Sequence, residues 1–254
     1  MARLIARNGW ANPLLEAPWV KTRIFKMDWL HAADQGITAD FIGNLLFYFH
    51  SQFPGQGNAP ERKVEQYNGL WSEIQSYYED EDVQDRLDCL KSTFIEGRNG
   101  MKLRCSAAKC RKLVPFALRL ATEMCDMSNP VEEALYKAAF HLNEVYGALS
   151  SSCPEADAVM REHSVKFALQ YVALHDHLNG DDARLFRIKP KLHFFLHLCS
   201  DGGHPARHWC YRDEDFGGSV AKAARRRGGM RKASATSWRV LTGLKIGNPR
   251  ISVR

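Results

Sequence analysis

The chain has no long charge-free apolar run, and its mean hydropathy is −0.38, which excludes a bilayer-spanning helix. Met1 to Trp10 holds two arginines but no apolar h-region. No secretory signal is visible there, and a nuclear or cytoplasmic, non-secreted location is expected. The seven cysteines (89, 105, 110, 125, 153, 199 and 210) form no C-x-x-C pair, which suits reduced, mostly buried thiols rather than a disulfide framework. Neither a G-x-S-x-G elbow nor a Walker or Rossmann glycine loop occurs, so the common hydrolase and nucleotide-binding sites lack their sequence marks. Asp does not occur in the 27 residues before Asp28. Asp and Glu are both missing from Phe216 to Arg254.

That last absence defines the charge pattern. Ten Lys/Arg and no acids give the 216–254 segment +10. With +6 for the whole chain, the first 215 residues sum to −4. A mildly acidic body with a strongly basic C-terminus suggests an anionic partner, of which nucleic acid is the commonest. A solubilising, disordered tail is the competing reading. The 254 residues, 45% hydrophobic and 25% charged, suffice for one large domain or two modest ones.

Hydrophobic spacing sets the expected elements. Pro18 to Asp28 reads as a strand, with Ile24, Phe25 and Met27 among its apolar positions. A helix follows from Ile37 to about His50, with Ile37, Phe41, Leu45 and Phe49 on one face. Pro60 opens a helix carrying Val64, Tyr67, Trp71, Ile74 and Tyr78. The acid run Glu79 to Asp82 marks a turn and the start of a helix to about Glu96. Ser106 caps a helix to Met124 that is kinked or restarted at Pro115. Asn129-Pro130 and Cys153-Pro154 open two more helices, the second ending at Leu178. Leu185 to Ile188 is a short strand or extended entry, and a helix begins just after Pro190. Trp209 to Arg227 reads as a further helix. The segment beyond Gly228 reads as a poorly ordered basic tail.

Candidate chemistry rests on few residues. Asp28 ends the strand, as a metal-binding carboxylate does at many nucleotidyl-transfer sites, although a strand-end Asp also serves as a helix cap or turn residue. His193-x-x-x-His197 places two imidazoles on one helix face. Zinc hydrolases use that spacing, but Phe194 stands where their general-base Glu would be, which favours packing or phosphate contact over zinc. Cys105 and Cys110 lack a partner pair for zinc.

The run Lys189-Pro-Lys-Leu-His-Phe-Phe-Leu-His-Leu-Cys199, followed by His208-Trp-Cys-Tyr-Arg-Asp-Glu-Asp-Phe216, resembles the C-terminal part of a DDE transposase of the CACTA (En/Spm-like) group. Lys26-Met-Asp-Trp-Leu-His31 is similar to the stretch holding that group's middle Asp. The similarity covers about 20 residues near the start and about 40 near the end, and its motifs are loose. It implies a predominantly α chain with a partial, truncated RNase H-like α/β core interrupted by a large all-helical insertion. The segments would be 1–55 (core strand and helix), 56–183 (helical insertion), 184–228 (C-terminal part of the core) and 229–254 (basic, disordered tail).

The resemblance also implies roles. Asp28 and Glu214 would be catalytic, metal-binding acids, with His31 and His197 supporting them. Arg225, Arg226, Arg227, Arg231 and Lys232 would face DNA phosphates. In the group, carboxylates hold two Mg²⁺ ions roughly 3.5–4 Å apart, the cofactor for strand-transfer or nuclease chemistry. Only two of the three acids find a counterpart, and Asp213 and Asp215 compete with Glu214 for its position. The expected function is therefore that of a transposase-derived, DNA-associated protein inactive on its own, with homo-oligomerisation open. The alternative is a non-catalytic helical nucleic-acid-binding or interaction protein that works through its basic tail.

Overall fold

A computed structural model of the chain describes residues 26–151, 153–178, 184–200, 203–207, 209–226 and 242. Of these, 72% are helical and none forms a strand, which makes the described chain predominantly α. It divides into two compact units, Met1–Trp209 and Cys210–Arg254.

In the first unit the first described helical segment, Leu30–Thr38, has wide, π-type turns kinked at the non-helical Gly36 (φ −106°, ψ −113°), and it leads into α1, Ala39–His50. Ten of the twelve residues of α1 are buried, including Phe41, Ile42, Leu45, Leu46 and Phe49, so neighbours surround it on nearly every side. Gly43 permits the closest of these approaches: a Cβ there would lie 2.4 Å from Leu103 N and 2.5 Å from Lys102 Cα. The Leu103 N–H donates to Ala39 O at 2.8 Å across this contact. Asn44 tethers two further segments, donating to Met101 O at 3.3 Å and accepting from Phe186 N at 2.9 Å.

The remaining helices follow from their caps and stripes. In α2, Ala59–Asp80, Asn58 and Glu61 form a reciprocal capping box. Ser106 caps α4, Ala107–Lys112, by accepting from Lys109 N, and Leu113 separates it from α5, Val114–Met124, whose second position is Pro115. The expected restart is therefore a true break, because the proline can enter only a first turn. Asn129 caps α6, Pro130–Ser150, which buries Leu135, Ala138, Leu142, Val145 and Leu149. Helix α7, Ala156–Leu178, packs along α6 and also against α8, Pro190–Ser200. A single 3₁₀ turn, Pro205–Arg207, ends the described part of this unit's helical structure.

Two expectations are corrected. Residues 82–91 do not continue a helix from the acid run, and only the short α3, Ser92–Ile95, forms before Glu96. Asp82 takes a left-handed conformation (φ 46°) that stops propagation. Arg86 then folds back, donating to Val83 O at 2.6 Å and Tyr78 O at 2.9 Å, while Leu87 N donates to Tyr78 OH at 3.1 Å. Side chains thus replace the helical ladder, even though Val83, Leu87 and Leu90 keep a helix-like spacing and are buried. Leu185 to Ile188 is likewise not a strand. Arg184 to Phe186 form a turn, and Phe186 adopts φ 43°. Its ring is fully buried against Phe41 and Tyr171, and its N–H is fixed on Asn44, which together hold a conformation unfavourable for a bulky residue. Of the Pro18–Asp28 strand, residues 18–25 lie outside the described residues, and Lys26 to Asp28 have no regular structure.

In the second unit, α9 spans Tyr211–Arg226 with Asp213 and Glu214 in its first turn, where the helix dipole favours acids. The expected tail beyond Gly228 lies outside the described residues apart from Thr242. No described helix is long and apolar enough to cross a membrane.

Gly43→Ala places a methyl group against main-chain atoms that cannot move aside. We expect a loss of about 3 kcal/mol, the upper end of ordinary overpacking, seen as a lower urea midpoint at unchanged m value.

Candidate functional site

Asp28 sits at the entrance to the π-helical segment. Its Oδ2 accepts from the His31 backbone N–H at 2.9 Å, as a helix-capping oxygen does, and lies 2.7 Å from His31 Nδ1. The capping bond exists, and it also fixes the carboxylate against an imidazole.

Behind this pair lies a carboxyl group with no exposure. Asp34 accepts from Trp29 Nε1 at 3.1 Å and from the Tyr146 hydroxyl, and Arg111 Nε stands 4.0 Å away. Tyr146 OH also pairs with Thr38 Oγ1 at 2.8 Å. Burial, followed by the charge of Asp34, pushes the Tyr146 phenol well above its usual range. The Arg111 guanidinium lies over the Tyr146 ring at 5.7 Å and the Trp209 ring at 4.8 Å. Trp29 and Asp34 are five residues apart, the separation at which a π-helix stacks one side chain above another. This bond is a local reason for the wide turn.

A second cluster is basic. Lys191 Nζ donates to His31 O at 2.8 Å and to Gln35 O at 3.5 Å, and Lys102 Nζ donates to Gln35 O at 2.6 Å. Lys189 Nζ pairs with buried Asp40 at 3.0 Å. The Trp29 ring also meets Phe195 of α8 with centroids 5.7 Å apart. The stretch around Asp28 and the run beginning at Lys189 are thus brought into direct contact within the first unit.

The other expected residues are placed as follows. His193 and His197 lie one turn apart on α8, with their Nε2 atoms 3.0 Å apart and ring planes at 87°. Glu214 stands in the first turn of α9, its N–H donating to Cys210 O at 2.9 Å, and its neighbours Asp213 and Asp215 are exposed. Arg225 is exposed near the end of α9, and Arg226 closes that helix. Arg227, Arg231 and Lys232 lie outside the described residues. Cys105 and Cys110 remain free thiols, and the Cys110 thiol is pushed up by its hydrogen bond with Cys105 and then by burial.

Sequence reasoning missed Asp34, Tyr146, Lys102 and Asn44. Asp34 falls between the expected strand and the helix expected from Ile37, and its partner Tyr146 lies 112 residues away, so no local pattern joins them. Lys189 and Lys191 stood inside a quoted motif, but their carbonyl and Asp40 partners could not be read from it.

Tyr146→Phe removes one donor from a carboxyl group that water cannot reach, at an expected cost of about 1–3 kcal/mol. The fold holds this phenol neutral, whereas an unfolded tyrosine ionises near pH 10. Stability from this group is therefore complete below about pH 10 and lost as pH rises above it. Thermal melts from pH 8 upward should show a steeper alkaline decline for the native chain than for Tyr146→Phe.

Comparison with family models, with curated proteins and with solved structures finds no match to this chain.

Proposed function

We propose that this chain is a transposase-derived, DNA-associated protein in which Asp28 and Glu214 are two of the three metal-binding acids of a nucleotidyl-transfer site on a partial RNase H-like core. One observation carries the reading. The two stretches on which the family resemblance rests within the first unit, 160 residues apart at the His31–Lys191 bond, pack directly on each other. Chance resemblances in unrelated loops have no reason to meet. Further support comes from what separates them: from Ala59 to Leu178 all the regular structure among the described residues is helical, as an all-helical insertion requires.

The donor chemistry fits the implied cofactor. Asp28 and Glu214 offer carboxylate oxygens, which a hard ion such as Mg²⁺ takes in preference to nitrogen or sulfur. Bound there, Mg²⁺ would supply activation of a water or a 3′-hydroxyl and stabilisation of the leaving oxygen. His31, bonded to Asp28 Oδ2, orients the carboxylate in the manner of an outer-shell partner. DNA would be held by the basic residues of α9 and beyond, Arg225, Arg226, Arg227, Arg231 and Lys232.

Asn caps a helix as well as Asp does, so Asp28→Asn removes the charge while sparing the local structure. Titration calorimetry should show Mg²⁺ binding to the native chain, lost in both Asp28→Asn and Glu214→Gln, with the melting temperature unchanged. Replacing Arg225, Arg226 and Arg227 together by Gln should reduce the slope of log K against log salt for duplex DNA by about 3. Mg²⁺ binding that survives both acid substitutions would falsify the metal-site part. A salt slope unchanged by the triple substitution removes these arginines from the DNA contact.

A further inference from the structure

We infer that the first unit carries a second, independent binding site, for a small amphipathic monoanion, in the cavity between α2 and residues 89–93. The cavity measures about 540 Å³, within the range of small-molecule sites. Val64, Tyr67, Trp71 and Leu90 give it an apolar lining, beside the polar Asn68, Ser92 and Thr93. Val64 is 60% exposed although it belongs to the apolar stripe of α2, and it faces the space rather than the core. Large apolar side chains turned together toward an open cavity favour an apolar guest.

The floor is fixed before any guest arrives. Tyr67 stacks on His50 with centroids 4.8 Å apart and planes 21° from parallel, and its hydroxyl donates to Glu96 at 3.0 Å. Glu96 is held in turn by Lys63 at 2.7 Å. Because Tyr67 is buried and locked from two directions, little ordering is left for binding to impose.

Charge selects the guest's polar end. Two lysines and no carboxylate line the cavity. Lys63 is committed to Glu96, whereas Lys91 is exposed and makes no ion pair among the described residues. An apolar trough with one uncommitted cation at its rim matches an apolar body bearing a single negative charge, such as a medium-chain or aromatic carboxylate. The site shares no residue with the Asp28 region, so it stands or falls separately from the DNA reading.

Cys89 supplies the test. Its free thiol lines the cavity, while exposed Cys153 in the same chain lies outside it. Decanoate below its micellar concentration should slow iodoacetamide alkylation of Cys89 in a saturable way and leave Cys153 unaffected, as read by peptide mass spectrometry. In Lys91→Gln the decanoate concentration for half-protection should rise about fivefold, the size of one partly exposed ion pair. Decanol should protect less well than decanoate in the native chain and equally well in the native chain and the variant. The proposal is overturned if decanoate leaves the Cys89 rate unchanged. It is equally overturned if decanol matches decanoate in the native chain, or if Lys91→Gln keeps the native half-protection concentration.

Discussion

The first unit depends on how one buried carboxyl group is satisfied. Asp34 has no contact with water, and an uncompensated carboxyl group there would cost several kcal/mol. Trp29 and Tyr146 donate to it, Thr38 bonds to the same Tyr146 hydroxyl, and Arg111 stands at ion-pair distance. These partners come from the π-helical segment and its approach, from α6 and from α4. Three elements distant in sequence are therefore located by one set of hydrogen bonds, which apolar packing alone would not orient so specifically. The wide turn fits the same demand, because a π-type turn brings residues five apart, such as Trp29 and Asp34, onto one side.

Where the backbone satisfies itself, the sequence was readable. The helix stripe Leu135, Ala138, Leu142, Val145 and Leu149 and the helix starts at Ser106 and Asn129 depend on residues three or four apart, and all of them form, whereas the Asn58 cap reads as loop. Legibility failed wherever side chains replace the ladder. Val83, Leu87 and Leu90 have helical spacing, yet the chain there is held by Arg86 and by the Tyr78 hydroxyl. The Leu185 to Ile188 run looks extended, but Asn44, 142 residues earlier, fixes Phe186 in a left-handed turn. In both cases the deciding partner is a polar side chain that periodicity does not weigh.

The candidate site divides in the same way. Asp28 and His31 were visible because their relation is local, three residues along the chain. The basic cluster beside them was not, because its geometry depends on main-chain oxygens that a sequence motif does not specify. Gly36 shows the constraint from the other side. A Cβ there would come within 2.9 Å of Lys191 Cδ and 3.0 Å of His31 O, so the lysine stem and the turn can approach only across a bare backbone.

The same cluster also bears on what the region can bind. Lys102, Lys189 and Lys191 bring three ammonium groups around Gln35 and Asp40, of which only Asp40 is negatively charged. Partial burial and the nearness of Lys102 hold the Lys191 ammonium below its usual range, with Asp40 opposing them. Capping the His31 and Gln35 carbonyls does not need a local excess of positive charge, since a neutral donor would satisfy either oxygen. An approaching anion would add a charged partner for Lys102 and Lys191, whose acceptors are main-chain oxygens, whereas Lys189 already pairs with Asp40. On the DNA reading proposed above, that anion would be a phosphate of the backbone.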